Sequence, residues 1–150
     1  MSLNQKKKAC IFPGTFEVFH DGHLNILKRA LKLFDFVYIV VAINNTKTSS
    51  DLEKRYQKVE EKIDSLSIKN VEVIKWDSKI SDFAKIKTIY FIIRGIRDVN
   101  DFKFEKYIAD IYKQEWDKLE VVYFFSEKKL ENISSRKIIN LNKGKNDYEN

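Results

Sequence analysis

Five short runs of apolar, β-branched and aromatic residues punctuate the chain: Ala9 to Phe12, Phe36 to Ala42, Val71 to Ile74, Thr88 to Ile93 and Val121 to Phe125. Each is bounded by polar, turn-forming residues, which predicts five strands. The stretches between them change period. Leu24, Leu27, Leu31 and Phe34 form one stripe with i, i+3/i+4, i+7 spacing, and Leu52, Tyr56, Val59, Ile63 and Leu66 form a second. That is the pattern of helices burying one face. Ser50 followed by Glu53 has the form of a capping box and predicts the start of the second helix. A shorter helix is predicted over Ser81 to Lys85, and a fourth from about Asp101 to Glu115 with Phe104, Ile108 and Ile111 as its stripe. Ser134 or Ser135 would cap a last one.

The resulting order, β-α-β-α-β-α-β-α-β-α, argues for a parallel sheet with right-handed crossovers and helices on both faces. In such sheets ligands sit at the C-terminal strand edge, near the switch in strand order. The residues just after each strand are therefore the ones to read for chemistry.

Composition narrows the frame. At 150 residues, with 43% hydrophobic and 13% aromatic residues, the chain is the size of one domain with one core, residues 1–150. Four Gly and one Pro leave no room for a flexible linker. The longest apolar run, Phe36 to Ile43, is far short of the ~20 residues of a membrane-spanning helix. Lys6, Lys7 and Lys8 run straight into a strand-like segment, unlike a secretory leader. Cys10 is the single cysteine, flanked by Ala9, Ile11 and Phe12, so a buried strand thiol in a reducing compartment is expected, and with it a cytoplasmic protein. The net charge of +6 favours anionic ligands without naming one. Nucleic acid is not the expected partner, because the aromatics fall in strands and helix stripes instead of interleaving with Lys along one surface.

The first strand leads into Pro13-Gly14-Thr15-Phe16-Glu17-Val18-Phe19-His20-Asp21-Gly22-His23 and then a helix. A strand, a Gly-containing turn and a helix N-terminus make an anion site, since free backbone N–H groups and the positive end of the helix dipole face the loop. His20 and His23 add imidazole donors. With one Cys and no further His, they lack the partners for a closed metal site. At the fourth strand, Arg94 and Arg97 place two guanidinium forks around Gly95, suited to bidentate phosphate contact.

Gly14-Thr15-Phe16 followed by His20-Asp21-Gly22-His23 resembles the signature of the nucleotidyltransferase superfamily, whose members transfer a nucleoside monophosphate and release pyrophosphate. Ile93-Arg94-Gly95-Ile96-Arg97, then Asp101-Phe102 and Glu105, resembles the phosphopantetheine adenylyltransferases within it. Ile133-Ser134-Ser135-Arg136 is similar to that family's motif closing on the triphosphate, and Lys47, in the Asn45-Thr46-Lys47 turn, matches its phosphate-bridging lysine. The resemblance spans Cys10 to Ile139. It implies a Rossmann-like, doubly wound five-stranded parallel sheet. The implied reaction moves AMP from ATP to 4′-phosphopantetheine, with Mg²⁺ accompanying ATP and no metal held by the protein itself. A homo-oligomer, a hexamer, is implied as well.

By the same resemblance His23, Lys47 and Arg97 are the catalytic residues. ATP would be contacted by Thr15, Phe16, His23, Gly95, Ile96, Arg97 and Glu105, and by Leu130, Glu131, Asn132, Ile133, Ser134, Ser135 and Arg136. Thr15, Lys47, Ile80 and Arg94 would bind phosphopantetheine. The chain departs from the family at Glu17-Val18, where Asp-Pro is usual, and at Arg136, where a third Ser is common. It ends soon after Gly144, so an extra C-terminal helix of many relatives is expected to be missing. His20 stands where many adenylyltransferases have a small polar residue, which moves the motif toward the cytidylyltransferase form. A cytidylyltransferase or a nicotinamide-nucleotide adenylyltransferase therefore stays open as an alternative, and a basic nucleic-acid-binding module is the alternative from outside the enzymes.

Overall fold

A computed structural model of the chain describes residues 7–43 and 51–127. Five strands, β1 (Ala9–Gly14), β2 (Phe36–Ala42), β3 (Val71–Trp76), β4 (Phe91–Ile96) and β5 (Glu120–Phe125), alternate with α1 (Asp21–Leu33), α2 (Leu52–Ser65), α3 (Ile80–Lys87) and α4 (Val99–Glu115). All the strand pairs are parallel, in the order β3-β2-β1-β4-β5. The chain steps outward from β1 through β2 to β3, then returns to the other side of β1 for β4 and β5, so the winding reverses between β1 and β4. This is the doubly wound sheet expected from the alternation.

Strand side chains alternate between two cores. Cys10, Phe12, Ile39 and Val41 face a core closed by Leu27 of α1 and by Val59 and Ile63 of α2. Ile11, Val40 and Ile92 face the opposite core, closed by Phe83 and Ala84 of α3 and by Tyr112 of α4. Burial on both sides explains why the strand segments read as near-continuous apolar runs. Cys10 is fully buried, and burial pushes its thiol up to about 12, as the strand-thiol reading anticipates.

Three elements differ from expectation. The fourth strand is Phe91–Ile96 and not Thr88–Ile93. Thr88 closes α3 in the left-handed conformation (φ 54°, ψ 53°), and Ile89 still donates its N–H to Ala84 O. The strand begins only after that turn, so Arg94 and Gly95 lie within β4 instead of beyond it. On α4, Phe104 is more than half exposed, while Glu105 is buried at 6%. Pairing with Arg94 in the sheet turns Glu105 inward, so Phe104 faces out while Ile108 and Ile111 stay half-buried. Helix α2 starts one residue later than the capping box implies, at Leu52 with Asp51 as cap; Ser50 and the last predicted helix lie outside the described residues.

Candidate active site

β1 and β2 run in register from Ala9–Phe36 to Gly14–Val41, whereas β1 and β4 are matched at Ile11–Ile92. At the C-terminal ends of β1 and β4 lies a cavity of about 470 Å³. It sits at the reversal in winding, where an open α/β sheet is expected to bind ligands.

The β1 side of the cavity is built by local chain geometry. Phe16, 4% exposed, takes the left-handed conformation at φ 47°, a strained choice for an aromatic residue and common where a site fixes its backbone. His20 then caps α1: its Nδ1 accepts the Gly22 N–H at 3.0 Å, and the His23 Nδ1 accepts the His20 N–H at 3.2 Å. Both Nδ1 atoms are acceptors, so each neutral ring carries its proton on Nε2. The rings stack with centroids 3.7 Å apart, and Phe16 and Phe19 close around His23 at 5.1 and 5.4 Å. Burial, then His20, then Arg97 press the His23 pKa down to about 3. Burial and Arg97 lower that of His20 against an opposing pull from Asp21. Both imidazoles are neutral donors at pH 7.

The β4 side is built from charges that are already paired. Arg94 meets Glu105 with two parallel bonds, Nε to Oε2 at 2.5 Å and Nη2 to Oε1 at 2.8 Å. Tyr123, the cross-strand neighbour of Arg94, donates its hydroxyl to Glu105 O at 2.8 Å. This pairing turns the Glu105 face of α4 inward. Arg97 donates from Nε and from its own N–H to Asp101 Oδ2, each at 3.0 Å. Burial alone would raise the Asp101 carboxyl, but Arg97, through side chain and backbone, outweighs it and holds the carboxyl below the usual range.

Thr15, Phe16, His23, Ile80, Arg94, Gly95, Arg97 and Glu105, all named from the sequence, line this one cavity. Ile96 does not: it is buried at 5% and absent from the lining. Lys47 and the segment from Leu130 through Glu131, Asn132, Ile133, Ser134 and Ser135 to Arg136 lie outside the described residues. Two glycines, Gly22 and Gly95, also make room within the cavity wall itself. A Cβ on Gly95 would lie 2.5 Å from Ile26 Cδ1, and one on Gly22 would lie 2.8 Å from His20 Cε1. Each leaves room for a neighbouring side chain of the wall. Tyr112 also lines the cavity and was missed in the sequence. Its position, seven residues after Glu105 and hence on the same helical face, was the available signal. Among the described residues no group of three or more His, Cys, Asp or Glu is placed to hold a metal ion, and no helix is long and apolar enough to cross a membrane.

A family model described as cytidylyltransferase-like matches residues 11–141. The phosphopantetheine adenylyltransferase of Campylobacter hominis is 42% identical over 127 residues, covering 84% of this chain and 79% of that one. That of Mycoplasma mycoides subsp. mycoides is 41% identical over 130 residues, covering 85% and 91%. Among solved structures, a putative nicotinate-nucleotide adenylyltransferase from Vibrio parahaemolyticus superposes with a TM-score of 0.56 over 91% of this chain and 86% of its own, at 21% identity. That level of identity speaks to the fold. The matched span contains both walls of the cavity, and the chain belongs to the cytidylyltransferase-like family, among the phosphopantetheine adenylyltransferases.

Proposed function

We propose that this protein transfers AMP from ATP to 4′-phosphopantetheine, giving dephospho-coenzyme A and pyrophosphate. The observation that carries the reading is the convergence, at one sheet crevice, of two neutral imidazole donors with Arg94 and Arg97, in a chain about 40% identical to proteins of that name. The acceptor phosphate is ionised at neutral pH and needs no general base. Attack in line at the α-phosphorus gathers negative charge on its oxygens and on the departing pyrophosphate, so catalysis requires positioning and donors.

In this mechanism His23 donates from Nε2 to the α-phosphate as charge grows there, and Arg97 neutralises the triphosphate. Thr15 and Lys47 bridge the phosphates of the two substrates. Arg94 meets the phosphopantetheine phosphate with the donors its two bonds to Glu105 leave over, and Ile80 touches the pantetheine arm. Leu130 to Arg136 cover the triphosphate. Mg²⁺ bound to ATP would supply further charge neutralisation. Glu105 is the one carboxylate among the described lining residues and is engaged by Arg94, so the described wall offers donors to the phosphates and would leave the ion to the ATP that carries it.

Self-assembly, to a hexamer, belongs to the same proposal. Val99, Phe102, Phe104 and Tyr107 leave an apolar surface on α4, each more than half exposed, as an interface between copies requires. Light scattering on the purified protein tests it, and a monomer at micromolar concentration would refute it. The buried Cys10 suits the cytoplasm.

The test of the reaction is acceptor-dependent pyrophosphate release. Turnover of ATP with 4′-phosphopantetheine, and not with nicotinamide mononucleotide, is expected. CTP turnover with a phosphoalcohol would overturn the assignment and favour the cytidylyltransferase reading that His20 keeps in view.

A further inference from the structure

Arg55 belongs to none of the motifs that carry the functional reading, yet it touches two of the segments that surround the cavity. From α2 it reaches the C-terminal edge of the sheet, where its Nη1 donates to Thr15 O at 2.6 Å and to Ala42 O at 2.7 Å. These two carbonyls are not an arbitrary pair. The register of β1 with β2 ends at Gly14–Val41, so Thr15 and Ala42 are the residues of the next rung. That rung is missing because β1 turns away there, through Phe16 at φ 47°. One guanidinium nitrogen carries two hydrogens and serves both oxygens at once, with the strength of charge-assisted bonds.

We propose that Arg55 is a positioning residue that replaces the missing rung and fixes the Thr15 turn relative to the end of β2. Thr15 and Ala42 both line the cavity. The clamp therefore sets the Thr15 turn, which carries a residue assigned to bridging the phosphates, against the end of β2 at the cavity. Its catalytic consequence rests on the proposed adenylyl transfer, whereas its geometric consequence does not.

The experiment uses the full chain with Arg55→Ala and Arg55→Lys. Pyrophosphate release by the unaltered protein comes first. If ATP and 4′-phosphopantetheine give none, the functional reading fails, and the clamp is judged on hydrogen exchange alone: the amides of Thr15 and Phe16 should exchange at least tenfold faster in Arg55→Ala, and unchanged exchange overturns the clamp. With turnover established, Arg55→Ala should lower kcat by up to about 10²-fold, the scale of a misplacement near 1 Å, while KM for ATP changes less than about threefold. Millimolar ethylguanidinium should restore part of kcat, and sodium chloride at equal ionic strength should not. An unchanged kcat, or a loss that ethylguanidinium does not relieve, overturns the proposal. Should Arg55→Ala fail to fold, Arg55→Lys decides: an intermediate loss of kcat with faster exchange at Thr15 supports the clamp, and unaltered kcat refutes it.

Discussion

The two walls of the cavity solve the same problem, presenting donors to phosphate, in opposite ways. On the β1 wall the donors are neutral imidazoles, held by main-chain hydrogen bonds within a single helix start. On the β4 wall they are permanent charges, held by carboxylates from the following helix. A neutral donor in a buried place has little charge to desolvate and needs only its tautomer fixed. A buried guanidinium is costly to desolvate and must be paired before any ligand arrives. The first wall should therefore be separable from stability, and the second should not.

Arg94→Ala tests that difference most severely. The substitution leaves Glu105, 6% exposed, without its bidentate partner, and breaking a buried pair from one side costs about 3 to 5 kcal/mol. Urea unfolding should show a loss of that order, and phosphopantetheine binding should weaken much more than ATP binding. Replacing both partners, as Arg94→Met with Glu105→Leu, should recover most of the stability and none of the phosphopantetheine binding. Full stability in Arg94→Ala alone would erase the distinction between the walls.

His23→Ala is the counterpart on the other wall. Charge on the α-phosphate grows only as the new bond forms, so losing the Nε2 donor falls on kcat more than on ATP binding. A loss on the order of 10²- to 10³-fold, about 3 to 4 kcal/mol, is expected in kcat, with circular dichroism and unfolding midpoint little changed. His20→Ala should do less. If His20→Ala lowers kcat more than His23→Ala does, the roles are exchanged and the cytidylyltransferase reading gains.

The walls also differ in how far the sequence discloses them. The His20–Gly22–His23 constellation and the Thr15 turn were legible because their geometry is set within a few residues by capping and by a turn. The two cores were legible too, since strands buried on both faces announce themselves as apolar runs. Glu105, named from the sequence as an ATP contact, does line the cavity, but its bond to Arg94 joins a strand to the next helix, and no local pattern encodes which carboxylate meets which guanidinium. The same bond misled the reading of α4: its rotation follows Glu105, so Phe104 is left exposed while Ile108 and Ile111 of the same stripe are half-buried. The start of β4 was misplaced because Thr88, Ile89 and Tyr90 have strand-forming side chains while the backbone is still completing the turn after α3. Tyr112 went unnoticed because an isolated aromatic on a helix carries no signal until the face it shares with Glu105 is known.

Acidity should separate the walls more gently. The His23 pKa is about 3 in the folded protein against 6.5 unfolded, and that of His20 is lowered as well. Between those values the unfolded chain binds protons that the folded one refuses, so stability falls as pH falls below 6.5, by at most about 1.4 kcal/mol per pH unit per histidine. Unfolding followed from pH 7 to pH 5, above the range where carboxylates titrate, should show this slope, and the double variant His20→Asn/His23→Asn should flatten it. An equal slope in the double variant would place the acid sensitivity elsewhere.

The smallest effect is expected within the β4 wall, where the Arg97–Asp101 pair repeats the chemistry of Arg94–Glu105 with less burial. Its side chains are 35% and 25% exposed, against 23% and 8% for Arg94 and Glu105. Water screens such a pair, and partly exposed ion pairs of this kind contribute about 0.2 to 1 kcal/mol. Asp101→Asn should therefore lower stability by less than about 1 kcal/mol, the more so because the amide oxygen still accepts from the Arg97 N–H. Since burial raises and Arg97 lowers the Asp101 carboxyl, with a net fall, the contribution is present above the unfolded Asp pKa and disappears as pH drops through the folded one. Salt provides the sharper criterion. At 1 M sodium chloride the screening length shrinks to about 3 Å, so the difference between Asp101→Asn and the unaltered protein should vanish while the penalty of Arg94→Ala persists. If unfolding midpoints show both penalties shrinking in parallel, Arg94–Glu105 is as solvated as its neighbour, and burial is not what makes the β4 wall inseparable from the fold.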